Sequence, residues 1–411
     1  MPAPRVTLFL LVEGTKAIIT TPNMGGPIQQ MRVLVSPQEF KGSLTAKEAA
    51  EAIAEGLRRA LPDAELDIVP MADGGPGIVQ AILSARAGQE ATCQAQDPLG
   101  RPVTAVWGLL EEGPTAVIEM AAASGLVLLK SEERDPRRTS TYGTGQIIQA
   151  ALDADCRRLI IGVGGSATND GGAGMAQALG ARLLDEKGRD LPPGGTALRH
   201  LDRIDVSGLD PRIADSHVLV ACDVTNPLCG PLGASMVYGP QKGATPEMIE
   251  ELDAALAHYA QVIRRDLGVD IISLPGAGAA GGIAGGLVAF LNAEIRPGAE
   301  LVAQIVGLRE RLRRADIVFT GEGRLDAQTP FGKTVATVAR LAKEQGRPVV
   351  ALAGSIDEGY PALRREGIDA ALAITPGPLS LAEAQADAAR LLADAAEQAA
   401  RLLLTGRSLP R

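Results

Sequence analysis

Residues Leu159–Gly174 read LIIGVGGSATNDGGAG, and they constrain the chain more than any other stretch. The apolar run Leu159–Val163 has the character of a buried strand. A loop follows that carries five glycines and the polar cluster Ser166-Ala-Thr-Asn-Asp170, and a periodic helix is expected over Met175–Leu179. Strand, glycine-rich loop and helix in that order define an α/β unit that brings backbone close to an anion. Without Cβ atoms, successive N–H groups can face a phosphate beside the positive end of a helix. A tight, close-packed turn would use the same glycines, but the polar cluster inside the loop points to a site.

The same alternation runs through the chain, so the expected class is α/β with parallel strands. Arg32–Ser36 reads as the first strand. Thr45-Ala-Lys-Glu48 is a capping box that opens a helix running to about Ala60, and Glu65–Pro70 is a second strand before ADGG and a short helix. Late in the sequence Asp316–Thr320, Pro348–Ala353 and Ala370–Thr375 read as strands, and Leu381–Leu404 as a closing helix. Two early and three late strands make one doubly wound sheet, into which the middle of the chain is inserted. Residues 31–91 with 296–411 are assigned to this sheet's domain and 92–295 to an inserted α/β domain. If the strand order is 2-1-3-4-5, ligands sit at the switch point between the first and third strands. The loops meeting there would be Ser36–Ser43, Ala72–Gly75 and Gly321–Lys333.

Composition narrows the function. A net charge of −9 with 2% aromatic residues argues against nucleic acid as a partner. The four cysteines, Cys93, Cys156, Cys222 and Cys229, contain no C-x-x-C pair, and with three histidines a zinc site or disulfide framework is disfavoured. A reducing cytoplasm is the simplest setting. Gly276–Ala293 is uncharged but dominated by glycine and alanine, too weakly apolar to span a bilayer, and a close-packed internal helix is expected there. Residues 1–30 contain the short apolar run VTLFLLV interrupted by Glu13, with no cleavage site evident; an upstream extension or a misplaced start, rather than a targeting signal, is the expectation.

Two look-alike motifs are set aside. Gly162-Val-Gly164-Gly-Ser-Ala167 matches the dinucleotide pattern G-x-G-x-x-A, but Asn169-Asp170-Gly171-Gly172 extends the loop where that motif needs its helix to begin. Gly332-Lys333-Thr334 imitates the end of a P-loop, yet Ala327 stands where the first glycine belongs. Phosphoryl transfer asks instead for positive groups on phosphate and for carboxylates that hold Mg²⁺ or orient a hydroxyl. Asp73, Asp170, Asp223, Glu322 and Asp326 all lie in glycine- or turn-rich segments. Lys41, Lys242, Arg324 and Lys333 offer the positive charge. Singly, each acid could be a turn former and each base a surface charge.

Taken together, PQEFKGSLTA, PMADGG, GVGGSATNDGGAGMAQALGARLLD, CDVTNPLCGPLGA, GPQKGA, PGAGAAGGIAGGL, GEGRLDAQTPFGK and VVALAGS resemble, in order over residues 31–405, the bacterial glycerate kinases of the two-domain type unrelated to P-loop kinases. The resemblance implies ATP- and Mg²⁺-dependent phosphorylation of D-glycerate to 2- or 3-phosphoglycerate. It also implies a flavodoxin-like doubly wound parallel sheet with a second α/β domain inserted, and a site in the cleft between them. Met31 falls where such proteins usually begin.

Roles are assigned on the chemistry of the matched residues. Asp170 and Lys41 are expected to act in catalysis, Asp170 by activating or orienting the glycerate hydroxyl. Gly164, Gly165, Ser166, Asn169, Lys242 and Lys333 are expected to hold phosphate or nucleotide. Ser43, Arg324 and Asp326 are expected on the substrate, and Asp73, Asp223 and Glu322 on the metal. One departure stands out: the family usually reads ADGGEGT where this chain has Ala72-Asp-Gly-Gly-Pro76-Gly-Ile78. If the missing glutamate binds metal or substrate, activity weakens or the acceptor changes. If it caps the helix, proline near the first turn is an acceptable replacement, and this is the reading preferred. The rival functions are a kinase of another small hydroxy acid and a non-catalytic ligand-binding α/β protein.

Overall fold

The computed structural model describes residues 30–325, 334–357 and 363–407. From the amino end, β1 (Arg32–Val35), α1 (Ala46–Ala60), β2 (Glu65–Ile68) and α2 (Ile78–Ala85) come first. Next are β3 (Gly88–Gln96), β4 (Pro102–Leu110), β5 (Thr115–Glu119), α3 (Ala121–Ser124), α4 (Tyr142–Asp153), β6 (Arg158–Gly162) and α5 (Ala173–Ala178). The chain continues through β7 (Arg182–Leu184), β8 (Arg203–Asp205), β9 (His217–Ala221), α6 (Ala234–Tyr238), α7 (Pro246–Leu267), α8 (Ile283–Leu291) and β10 (Glu294–Arg296). It closes with α9 (Gly298–Ile305), α10 (Leu308–Arg314), β11 (Ile317–Leu325), α11 (Thr334–Glu344), β12 (Val349–Ile356), β13 (Ala370–Ala373), α12 (Leu381–Ala386) and α13 (Ala388–Arg407).

Two sheets organise these elements. The first has the order β13-β12-β11-β1-β2 and is parallel throughout, which is the 2-1-3-4-5 order. The second runs β10-β9-β6-β5-β4-β3 and is parallel except for β3 and β4, which pair antiparallel at one edge. Burial follows from that arrangement. Val33–Val35 of β1 and Ile317–Phe319 of β11 are buried and read as continuous apolar runs, whereas β3 keeps one face in water and alternates.

Local chemistry starts and stops the helices. At α1 the Thr45 hydroxyl accepts from Glu48 N at 3.2 Å and Glu48 Oε2 accepts from Thr45 N at 2.8 Å, the reciprocal box that the sequence suggests. The buried stripe Ala49, Ala50, Ile53 and Leu57 of α1 then packs against α13. The closing helix is two helices rather than one: a second capping box at Ser380 and Glu383 opens α12, which ends at Asp387 before α13 begins. β11 is longer than the expected Asp316–Thr320. Gly321–Leu325 continues it, paired with β12 through Glu322↔Ala353 and Arg324↔Ser355. α8 lies inside Gly276–Ala293 and is almost wholly buried. No helix of the described residues is long and apolar enough to cross a membrane.

One buried cluster belongs to both sheets. Leu34 and Val318 of the first meet Val117, Ile160 and Leu219 of the second, with Ile78 and Ile82 of α2 between them. Burial at this level is worth roughly 25 cal/mol per Å² of apolar surface, so the shared cluster favours keeping the two sheets together. The crevice above this shared core is where the carboxyl ends of β2, β6 and β9 converge.

Candidate functional site

The turn Asp73–Gly77 after β2 reaches across to the second sheet. Asp73 Oδ1 accepts from Gly75 N at 3.1 Å, closing the turn on itself. Gly74 has φ of +92°, and a Cβ there would lie 2.4 Å from the Ala221 carbonyl at the end of β9. Only glycine fits both conditions. The Gly74 carbonyl in turn accepts from Gly164 N at 3.0 Å, in the loop after β6. Two turns from two sheets are thereby brought into contact, and beside them opens a cavity of about 200 Å³.

This cavity collects much of what the sequence singled out. Asp73, Gly164, Gly165, Ser166, Asp223 and Lys242 all line it. Asp223 stands just past β9, where its Oδ1 accepts from Gly298 N at 2.6 Å and its Oδ2 from Ala299 N at 3.3 Å, in the first turn of α9. Burial, and then the neighbouring Asp73 carboxylate, push the Asp223 carboxyl up to about 7 against those backbone donors. Lys242 is 1% exposed, and its ammonium donates to the Thr168 carbonyl at 2.6 Å. Burial pulls it down to about 7, with Asp170 acting in the opposite sense. Ser166 donates to the Ala280 carbonyl at 3.0 Å and accepts from Thr168 N at 3.0 Å, tying the loop to the second glycine-rich segment.

Asp170 and Asn169 are placed differently. Neither lines the cavity, and both are buried beneath its wall. Asp170 Oδ2 accepts from Thr141 N at 2.8 Å, Thr141 Oγ1 at 2.9 Å and Gly174 N at 3.2 Å, while Oδ1 accepts from Gly172 N at 3.2 Å. The four donors belong to the loop, to the start of α4 and to the first turn of α5. Burial raises this carboxyl despite them. Asn169 Nδ2 donates to Ser235 Oγ at 2.9 Å, and its Oδ1 has no partner. The geometry is that of a carboxylate and an amide holding the loop's shape.

The remaining described candidates are not gathered into this cavity. Lys41 is exposed on the turn joining Phe40 to Leu44, and Ser43 Oγ donates to the Phe40 carbonyl at 2.9 Å. Glu322 and Arg324 lie on β11, where Arg324 forms an ion pair with Asp357. Asp326 and Lys333 lie outside the described residues, as do residues 1–29.

Asp73 and Asp223 form the acidic pair at the cavity. Among the described residues no group of three or more His, Cys, Asp or Glu side chains is placed to hold a metal, so Glu322 does not complete a three-carboxylate set with them. Two carboxylates that repel one another nonetheless suit Mg²⁺, which commonly takes one or two protein carboxylates and fills its remaining positions with phosphate oxygens and water.

Two lining residues and one neighbouring carboxylate escaped the sequence reading. Tyr238 and Gln241 face the cavity from the segment that carries Lys242, so GPQKG was the clue to them. Glu119, at the end of β5, stood in no motif. Its Oε1 accepts from Gly77 N at 2.9 Å and from Val79 N at 3.1 Å and so caps α2. Pro76 therefore sits before the cap residue Gly77 rather than inside the first turn, and Ile78 is fully buried.

Comparison with known proteins gives a consistent result. A family model described as "Glycerate kinase family" matches residues 33–404. The chain is similar to the glycerate kinase of Halalkalibacterium halodurans, with 52% identity covering 90% of this chain and 96% of that protein. It is also similar to the glycerate 2-kinase of Escherichia coli, at 49% identity over 86% of this chain and 93% of that one. Among solved structures, a protein assigned as glycerate kinase 2 from Salmonella typhimurium superposes with a TM-score of 0.83 at 47% identity, covering 92% of this chain and all of the other.

Proposed function

The chain belongs to the glycerate kinase family, and from that premise we propose that it transfers the terminal phosphoryl group of ATP to D-glycerate in the crevice between its two sheets. The observation that carries the site assignment is the convergence of Asp73, Asp223, Lys242 and the turn Gly164–Ser166 on one cavity. We take the crevice to separate two domains, 31–91 with 296–411 and 92–295.

In this reading the donor phosphates lie against the glycine turns, where no Cβ keeps an anion from the backbone. Lys242, carried below the ordinary lysine range but still charged under neutral conditions in good part, holds the phosphoryl oxygens. Asp73 and Asp223 are the residues that would hold Mg²⁺, which when bound neutralises phosphate charge. The acceptor hydroxyl oxygen forms a bond to the terminal phosphorus as the bond to the bridging oxygen breaks. ADP leaves with that electron pair, and the hydroxyl proton is lost to water. Asp170 acts by holding the loop, not by touching glycerate. The four cysteines are all free thiols, which suits a reducing cytoplasm.

ADP release in the presence of ATP, Mg²⁺ and D-glycerate tests the proposal directly. Turnover is expected with D-glycerate, and turnover confined to a different hydroxy acid would overturn the substrate assignment. Phosphorus NMR of the product distinguishes the 2- from the 3-phosphate.

A further inference from the structure

Asp73 lines a second pocket, also of about 200 Å³, on its other side. One wall is the segment Gln38–Glu39 with the start of α1, and the other is Pro76, Gln80 and Glu119. Its chemistry differs from that of the first cavity, because no pair of glycine turns faces it and its ends are of opposite character.

At one end stand Thr45, Ala46 and Lys47, the cap and first turn of a 15-residue helix. The N–H groups there carry the positive end of the helix dipole, and Lys47 is exposed beside them. At the other end are hydrogen-bond acceptors. Gln38 is 9% exposed, and its Nε2 donates to Asp73 Oδ2 at 2.8 Å. That bond fixes which way the amide faces and leaves Gln38 Oε1 as a buried acceptor with no partner. An unpaired buried acceptor is unfavourable and is relieved by a ligand that brings a hydroxyl.

Nearby carboxylates would oppose an anion if they were free, but they are partly committed. Glu119 Oε1 is engaged by two N–H groups at the positive end of α2. Burial, then the Asp73 carboxylate, raise the Glu39 carboxyl above its ordinary value. The wall at Pro76 is uncharged.

We infer that this second pocket is the acceptor site. It takes a short hydroxy acid with the carboxylate toward Lys47 and the first turn of α1, and the hydroxyls toward Gln38 Oε1 and Asp73. The assignment rests on the first cavity being the phosphate-donor site. Donor and acceptor then lie on opposite sides of Asp73, whose two carboxylate oxygens are oriented by Gly75 on one side and Gln38 on the other.

The test uses Lys47→Met and Gln38→Leu in the full chain. Lys47→Met changes an exposed side chain and is expected to fold normally. Each variant should raise the KM for D-glycerate about tenfold or more, the loss of one charge-assisted or buried hydrogen bond, while for Lys47→Met, which leaves Asp73 untouched, the KM for ATP stays within about twofold. Calorimetric titration of ATP-free protein with D-glycerate should show the same weakening at unchanged melting temperature for Lys47→Met. A glycerate KM and affinity unchanged in both variants, or a change confined to ATP, overturns the inference while leaving the kinase reading intact. Wild-type protein that turns over no glycerate overturns the kinase reading, and the inference falls with it.

Discussion

Gly164 N donates to the Gly74 carbonyl at 3.0 Å, and through this bond the turn after β6 meets the turn after β2. A Cβ on Gly164 would fall 2.5 Å from Gly75 Cα, closer than two carbons can approach. Gly164→Ala must therefore push the two turns apart. The expected cost is about 1–3 kcal/mol of stability, measured by urea unfolding. The expected loss in kcat is about 100-fold, since displacements near 1 Å at a reacting centre have that effect. A variant with wild-type kcat would show that the two turns do not jointly position the phosphate.

Asp170→Asn separates a loop-holding role from a catalytic one. Either orientation of the new amide aims an NH₂ at a backbone or hydroxyl donor that now meets a carboxylate oxygen. A stability loss of about 2 kcal/mol is expected from the broken and unsatisfied bonds, with activity falling in step with the disordered loop. If Asp170→Asn melts like the wild type yet loses all turnover, the carboxylate takes part in the chemistry itself.

The pH profile reports Lys242 and Asp223 together. Lys242, held down to about 7, loses its charge as pH rises, and Asp223, pushed up to about 7, gains charge over the same interval. For free enzyme, kcat/KM for ATP should peak near neutrality and fall about tenfold per pH unit on the alkaline side. Lys242→Met should flatten that alkaline limb, and a limb that survives the substitution belongs to another group. The same lysine also links stability to pH. Between about 7 and its ordinary value of 10.5 the unfolded chain binds the proton that the folded chain has lost, so stability rises with pH across that window.

Glu119 caps α2 through one oxygen only. Glu119→Gln keeps an acceptor at that position and removes a carboxylate whose ionised form is disfavoured by burial. It should be at least as stable as the wild type at pH 7. Glu119→Ala removes the acceptor and should lose about 1 kcal/mol. Denaturant melts of the two variants check the difference, and equal melts would mean the cap contributes nothing.

Much of the scaffold was legible because its signals are local. The apolar run at Leu34–Val35, the capping box at Thr45–Glu48 and the alternation of strands and helices depend on neighbours within a few residues; the 2-1-3-4-5 order entered only as a condition, and the structure supplies it. Local signals failed where a distant partner decided. Gly321–Leu325 looks like a glycine-rich loop, but pairing with β12 makes it strand. The closing helix reads as continuous because nothing apolar is interrupted at Asp387, yet the Ser380–Glu383 box starts a separate segment.

Within the site, residue type was readable and direction was not. Residue order alone placed a glycine-rich loop after a buried strand, set acids and lysines beside it and matched the motifs to a family. Asp170, in the middle of that loop, looks as available to substrate as Asp73. Only the tertiary structure turns it inward, because Thr141, 29 residues away, and the amides at Gly172 and Gly174 take both its oxygens. In the same way Glu119 has no motif around it and becomes a helix cap only when β5 is set beside α2. Such assignments depend on which backbone donors lie within 3 Å of a side chain, and packing between the two sheets settles that.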